Sequence, residues 1–396
     1  MSISISSLSA LTVQEIDFRA DPRWNQFVSS HPDALIYHHA NYLSALESEY
    51  GQKCRALACE HRNGRLHAIL PLFYVKGLPI KLGRSATRNR LSSLPRTPVA
   101  GPLAIDEAGM KAVLQHAIEL VREEPGLQLE IKTRQAGLSD IVPELRSVAW
   151  NSTYIQELPA RVEGSPWEEF CEDLRLPREC GPCQECRRLR FGNARKQHRV
   201  SWAVNKALRL GLEVREAQDE TDLAAWYRLY LDSMRYHSFP PRPYRFFAAL
   251  WSTLRPLGQM KLLLAESNGT STRRMVAGSV VLRFGETVFY AFTGCAHKDF
   301  SLHPHDILQL ELIRDSCRSG FRWYDFGEVS ERDAGLAQFK GKWGTEARRL
   351  YRYYYPAPEP GHEKRASLLV SCMRRAWRLL PLRLSETLGE RIHRYT

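Results

Sequence analysis

Long apolar runs are missing from this sequence. No stretch approaches the roughly 18 uninterrupted apolar residues that a membrane-spanning helix needs, so none is expected. The Ser-rich stretch from Met1 to Glu15 carries no basic segment leading into an apolar one, so no secretory leader is expected and the cytoplasm is the expected location. Nine cysteines, an odd number at irregular spacing, argue against a secreted disulfide scaffold. Excess charge is also absent from most of the chain, although the formal net charge is +12. Residues 181–210 hold eight Lys and Arg against Glu185 alone, residues 362–396 hold eight against three Glu, and the remainder balances. A uniformly basic nucleic-acid coat is therefore excluded and no DNA partner is expected, while two local anionic contacts stay open. With 43% hydrophobic and 25% charged residues the chain is globular, and 396 residues fit two or three domains.

One order of elements occurs twice. Helices are expected at Pro22–Ser29 and His39–Glu49, then a hairpin of Cys54–Glu60 and Leu66–Val75 turning at Asn63-Gly64, where the turn asks for positive φ. A helix at Glu107–Glu123, a strand at Leu127–Lys132, a short helix at Leu138–Leu145 and a closing strand at Val148–Leu158 follow. In the second half, helices at Asp222–Tyr236 and Tyr244–Leu254 precede strands at Lys261–Glu266, Met275–Arg283 and Thr287–Thr293, the first two joined across Asn268-Gly269. Then come a helix at His305–Arg318, a strand at Phe321–Phe326, a short helix at Ala334–Lys340 and a closing strand at Leu350–Tyr355. The repeat suggests two copies of one α/β unit of ordinary domain size; two unrelated α/β domains would give the same order only by chance.

Several blocks of the second half carry a more specific signal. They are the basic run Arg195-Lys196-Gln197-His198-Arg199 continuing to Lys206-Ala207 and Gly211-Leu212, the strand Met275-Val276-Ala277-Gly278, and Gly320 to Gly327 ending in Asp325-Phe326-Gly327. Phe339-Lys340-Gly341-Lys342-Trp343-Gly344 follows, and the tail has Ala376 to Leu382 with Leu388-Gly389. On these blocks the chain resembles the Fem family of acyl- and aminoacyl-transferases, and within it the BioF-type acetyltransferases of the exosortase/PEP-CTERM-associated branch. The likeness covers most of 190–390 and is weaker in the first half, where Tyr50-Gly51, Pro71-Leu72 and Ser93-Leu94-Pro95 carry it. It implies an α/β (α+β) protein of two tandem GNAT-like domains, each a mixed twisted sheet flanked by helices. The expected plan is a first domain over 1–160, a basic Cys-containing linker and helix over 161–212, a second domain over 213–358 and a basic amphipathic tail over 359–396. Asp-Phe-Gly also occurs in kinases, but the Gly-rich loop, strand lysine and catalytic loop they require are absent.

The implied chemistry is direct transfer, in which an amine attacks an activated acyl carbonyl held between two splayed parallel strands, here Thr287–Thr293 and Phe321–Phe326. Asp325 is a candidate base or amine orienter, or else a cap for the following backbone. The family's lysine in the Phe-Lys block falls on Lys340, which would neutralise a phosphate or the tetrahedral oxyanion; an unassisted reading makes it solvated surface. Arg195, Lys196, Arg199, Tyr290, Lys342 and Trp343 are substrate-binding candidates, with packing the plainer role for Trp343. Acetyl-CoA enzymes of this fold place a glycine-rich stretch before their long helix, but Cys295 to Pro304 contains no glycine. The expected activity is GNAT-type N-acyl transfer, with acyl-CoA as co-substrate, to an amine of a cell-envelope or exopolysaccharide precursor; the alternative is Fem-type aminoacyl transfer from a charged tRNA to a peptidoglycan precursor. A catalytically silent binding module for exopolysaccharide assembly is the alternative from another class. His297, His303 and His305 cluster but read as loop histidines.

Cys180, Cys183 and Cys186, with Cys171 nearby, offer thiolates for zinc, although the two short steps share a middle cysteine where zinc sites keep two separated pairs. A local insertion of free thiols is the plainer alternative. The basic helix, with Val200, Ala203, Val204 and Leu208 expected inward, is a candidate groove for phosphates of tRNA, CoA or a lipid-linked sugar. In the tail, Leu368, Leu369, Met373, Trp377 and Leu380 are spaced for a helix face that would lie on an anionic membrane or dock on the protein.

Overall fold

The computed structural model describes residues 11–77, 88–158, 194–268, 273–358 and 377–392. Four cysteines of the candidate cluster, the arginines at 187, 188 and 190, Gly269, and Leu368, Leu369 and Met373 lie outside them. In chain order the elements are β1 (Leu11–Glu15), α1 (Pro22–Ser30), α2 (Ala40–Tyr50), β2 (Arg55–His61), β3 (Leu66–Val75), β4 (Asn89–Ser92) and β5 (Leu103–Ala104). They continue as α3 (Glu107–Glu123), β6 (Leu127–Thr133), α4 (Leu138–Ile141), β7 (Arg146–Glu157), α5 (Ala194–Arg209), β8 (Leu212–Glu216), α6 (Glu220–His237) and α7 (Tyr244–Leu254). The last are β9 (Met260–Asn268), β10 (Arg273–Phe284), β11 (Thr287–Cys295), α8 (Pro304–Arg318), β12 (Trp323–Val329), α9 (Ala334–Gly341), β13 (Glu346–Tyr355) and α10 (Leu382–Ile392).

The chain divides into two compact units. In the first, β1, β2, β3 and β4 run antiparallel to one another, β4 pairs parallel with β6, and β13 closes the sheet antiparallel to β6. In the second, β8, β9, β10 and β11 are antiparallel neighbours, β11 pairs parallel with β12, and β7 closes the sheet antiparallel to β12. The strand plan is the same in both, as the repeated element order implies. The closing strands are exchanged, which corrects the assignment of each to its own copy. Residues 152–157 pair with 323–329, and residues 351–355 with 129–133. Strand propensity marks both segments but holds nothing about which sheet edge either one reaches.

Local chemistry accounts for the elements. Asp106 caps α3 by accepting the Gly109 N–H at 2.7 Å, and the 3.6-residue spacing of Val113, Leu114, Ala117, Ile118 and Val121 buries one face against Leu70, Leu129 and Ile131. The β2–β3 hairpin forms as expected, but with a three-residue loop in which only Gly64 has positive φ (+80°) and His61 N–H donates to Arg65 O at 2.9 Å. In the second unit α8 buries Ile307, Leu308, Leu310 and Ile313 in a core with Val276, Val281, Tyr324 and Trp343. Helix α5 turns Val200, Ala203, Val204 and Ala207 inward; Leu208, expected inside, is 42% exposed because the 3.6-residue turn brings Ala207 to the buried face instead.

Gly278 and Gly294 face each other across β10 and β11, and α6 lies directly on them. A Cβ on Gly294 would stand 2.5 Å from the Tyr230 backbone N, and Trp226 Nε1 donates to Gly278 O at 2.9 Å. Gly294→Ala should therefore destabilise the protein by about 1–3 kcal/mol, because the clash is with helix backbone that has no rotamer to yield. Gly335→Ala, whose nearest neighbour is 3.7 Å away, should change stability little. Denaturant unfolding of both variants checks the contrast.

Candidate active site between splayed strands

In the second unit, β11 and β12 pair only over Thr287↔Trp323, Val288↔Tyr324 and Phe289↔Asp325. Both strands continue beyond that point, β11 to Cys295 and β12 to Val329, and they part. Each carries an irregularity where it turns away. Val280 faces Phe292 and Val281 faces Tyr290, so Ala291 is extra on β11. On β12 the register with β7 slips between Asp325 and Glu328, and Gly327 takes φ +82°, a conformation that costs other residues. This is the gap the sequence places between these strands.

Asp325 ends the paired stretch and is buried. Its Oδ1 accepts the Thr153 hydroxyl at 2.5 Å and the Gly327 N–H at 2.8 Å, so it does cap the following backbone. Lys340 is buried rather than solvated, and its Nζ donates to Gly327 O at 3.0 Å and Glu328 O at 3.2 Å. Two of three ammonium protons thus hold the turned-away end of β12. Burial pushes the Lys340 amine down from 10.5 to about 8, against the pull of Asp325, Glu328 and Asp333. The lysine therefore loses its proton more readily than a free one, and it lies near the Asp325 carboxylate.

Tyr290, the first β11 residue past the pair, takes a hydrogen bond from Ser279 Oγ at 3.3 Å, and Ser279 and Thr293 hydroxyls lie 3.1 Å apart. Burial raises the Tyr290 phenol. Trp343 is wholly buried, tilted against the Phe326 ring, which gives it the packing place. His305 is pushed down to about 4 by burial, so it is neutral near pH 7, and it lies 3.4 Å from Thr293 Oγ1.

The approach to α8 matters most for the donor. The segment before it forms a short 3₁₀ helix, His297–Leu302, closed by His303 at φ +57°. Pro304 is the first helical residue and has no N–H to offer. Asp306 occupies the first turn and is ion-paired with Lys342, with His303 Nδ1 3.5 Å from its other oxygen. An internal carboxylate therefore takes the positive end of the helix, where a phosphate would otherwise sit. Sequence reading found Lys342 but missed Asp306, which lies 36 residues away with no shared motif.

Cations collect beside this turn instead. Arg195, Lys196, Arg199 and Lys342 line a hollow of about 430 Å³ with Gln338 and Gly341. An adjoining hollow of about 400 Å³ shares Arg199 and Lys342 and adds His198, Trp202, Ala203 and His303. Arg195 and Arg199 are exposed and have no carboxylate partner among the described residues. The structure thus brings the three basic candidates of α5 together with Lys342. Among the described residues no group of His, Cys, Asp and Glu is placed to hold a metal.

The equivalent gap of the first unit is closed. Strands β4 and β6 part after Ser92↔Glu130, and residues 93–101 fill the space. Ser93 N–H donates to Glu130 O, Ser93 Oγ accepts the Lys132 N–H, and Ala100 N–H donates to Lys132 O. Leu94 and Arg96, neither a glycine, are held at φ +59° and +54° in this segment. Burial works against the Glu130 charge, but Lys132, Arg352 and Arg90 outweigh it and pull the carboxyl down to about 2.

Residues 193–341 match the acetyltransferase (GNAT) domain family. A UDP-N-acetylmuramoylpentapeptide-lysine N(6)-alanyltransferase from Weissella viridescens is 23% identical over 150 residues, which cover 37% of this chain and 43% of that relative. The match thus spans less than half the length of that relative. Among solved structures, FemX aligns with a TM-score of 0.59 at 13% identity, over 92% of this chain and 100% of that one. The C-terminal domain of a putative lysylphosphatidylglycerol synthetase from Agrobacterium fabrum gives 0.53 at 11% identity, over 88% and 94%. Both likenesses show the fold.

The Lys340 amine gives a measurable signature. Between pH 8 and 10.5 the unfolded chain holds a proton at this lysine that the folded chain has released, so folding gains stability as pH rises. The gain should reach roughly 3 kcal/mol across that window. The difference between wild-type and Lys340→Met unfolding curves against pH isolates it. Parallel curves would mean that Lys340 titrates as a free lysine.

Proposed function

We propose that the chain is a Fem-like transferase of the GNAT fold and that it moves an aminoacyl group from a charged tRNA to an amine of a cell-envelope precursor. The observation that carries this reading is the exchange of anion sites in the second unit. The N-terminus of α8 is occupied by Asp306 and Lys342 and begins with a proline, while Arg195, Lys196, Arg199 and Lys342 face an open hollow. A donor whose phosphates run over a surface suits spread cations better than one whose single pyrophosphate is cradled by a helix end. The family relative named as an alanyltransferase on a peptidoglycan precursor supports the aminoacyl donor and the envelope acceptor.

The chemistry follows from the gap between β11 and β12. The acceptor amine, having lost its proton, attacks the ester carbonyl; the new C–N bond forms as the C–O bond to the tRNA ribose breaks, and the departing oxygen takes a proton. Lys340 directs its third ammonium proton at the oxyanion, while Asp325, fixed by Thr153 and the Gly327 N–H, orients the amine. Tyr290 lines the donor side of the gap. A second reading replaces the ester by the thioester of an acyl-CoA and is favoured by the acetyltransferase domain match. Under that reading the hollow holds the CoA phosphates, and the resemblance of the tail points the acceptor towards exopolysaccharide.

Single-turnover assays with charged tRNA and with acyl-CoA distinguish the donors. Transfer from tRNA that ribonuclease abolishes is expected; ribonuclease-resistant transfer from acyl-CoA would overturn the first reading in favour of the second. Lys340→Met should lower kcat by roughly 10²–10³-fold, the usual loss for one oxyanion donor. Arg195→Glu with Arg199→Glu should raise KM for the donor about tenfold or more and flatten its salt dependence, with kcat much less affected.

A further inference from the structure

One stripe of α5 carries an aromatic ring among its cations. Arg195, Arg199, Trp202 and Lys206 lie at i, i+4, i+7 and i+11, so they share one line along the helix, while Val200, Ala203, Val204 and Ala207 turn to the core. Trp202 is 49% exposed, yet its ring is held in place. His303 meets it edge to face, with ring centres 5.1 Å apart and planes at 83°, and Lys206 Nζ lies 5.2 Å from the indole centre. His303 is in turn set by its backbone at φ +57° and by Asp306, 3.5 Å from its Nδ1. The open part of the indole is a wall of the hollow of about 400 Å³ that Arg199 and Lys342 also line. Among the described residues neither Arg199 nor Lys206 has a carboxylate partner.

We propose that Trp202 is the platform on which a nucleobase of the donor stacks, with the phosphates beside that base on Arg195, Arg199 and Lys206. The proposal rests on the transferase reading above, whose two donors, aminoacyl-tRNA and acyl-CoA, both carry a base and phosphates. An indole and cations in one stripe ask two things of a ligand: a flat π face, and negative charge close to it. Along the helix axis Arg199 stands about 4.5 Å from Trp202 on one side and Lys206 about 6 Å on the other. A strand laid along α5 therefore meets cation, ring and cation in turn, the alternation that suits a nucleotide chain. A phosphate-linked sugar has no aromatic face and would leave the indole unused; an apolar ligand would leave the cations unused. Because His303 already fixes the ring, stacking a base on it costs little side-chain ordering. Every base has a π face, so the contact supplies affinity and position without reading sequence.

Equilibrium binding to the full chain tests this without turnover. The probes are the trinucleotide CCA, which ends every tRNA, and CoA, each set against a counterpart without bases: an abasic trinucleotide and 4′-phosphopantetheine. Wild type should bind CCA or CoA, and which of them it binds identifies the source of the base. Trp202→Ala should weaken that probe roughly 5- to 100-fold, the usual loss for one stacked base, and Trp202→Phe should restore most of it. The baseless counterpart should bind wild type and Trp202→Ala alike. Bound base should also quench indole emission; with nine tryptophans in the chain, the quench is read as the difference between wild type and Trp202→Phe. Unchanged affinity in Trp202→Ala, an equal loss for probes with and without bases, or no wild-type binding of either CCA or CoA would overturn the proposal. The transferase reading fails separately: a chain that stacks a base on Trp202 but transfers from neither donor would overturn that reading and leave this one standing.

Discussion

Everything proposed for the second unit depends on a parallel strand pair that stops after three residues. A parallel ladder that continued past Phe289 and Asp325 would satisfy its own N–H and C=O groups and leave no space between the strands. It stops because each strand is committed elsewhere. The extra Ala291 turns β11 towards β10, and Gly327 at φ +82° turns β12. The carbonyls freed by that turn do not stay unpaired, since Lys340 donates to those of Gly327 and Glu328. One side chain therefore stabilises the open gap and stands at its edge. Its lowered amine pKa follows from the same burial that lets it reach those carbonyls.

The two units share a strand plan and differ at this one place. In the first unit the chain itself crosses the gap, and Ser93 and Ala100 complete the hydrogen bonds of β6. The residue at the end of the parallel pair is acidic in both, Glu130 in one and Asp325 in the other. Glu130 is neutralised by lysine and arginine from its own unit and by the Ser92 hydroxyl at 2.8 Å, a closed network. Asp325 instead accepts from a hydroxyl and a backbone N–H and has Lys340 as a nearby charge. A common framework thus supports two buried polar cores, one closed by a crossing segment of chain and the other by the Lys340 ammonium.

Much of this was legible because local chemistry sets it. Helices announce themselves through 3.6-residue apolar spacing, and the hairpin at Asn63-Gly64 through its turn residues. Asp325 and Lys340 were found through a motif that spans one strand and the helix after it. Strand exchange was not legible, because β7 and β13 look alike in composition and pairing partners as far apart as Glu157 and Trp323, or Thr133 and Tyr351, leave no local trace. Asp306 was hidden for the same reason: an acidic residue in a helix's first turn is ordinary, and only folding brings Lys342 to it. Ala207 rather than Leu208 lies inside because position 207 falls in line with Val200, Ala203 and Val204, whereas position 208 is turned about 100° past it.

The Asp306–Lys342 pair links these levels. In water a lysine and an aspartate so far apart in sequence would have no reason to meet. Buried together at the start of α8, they satisfy each other and the helix dipole, and separating them would leave a charge without solvent. The consequence is that the helix end has little left to offer an anion. Arg195 and Arg199, on a helix packed against α8 by Val200 and Val204, stay exposed beside the same turn. Positive charge at this turn therefore stands on the exposed side chains of Arg195 and Arg199, while the start of α8, which opens on a proline, is faced by the carboxylate of Asp306.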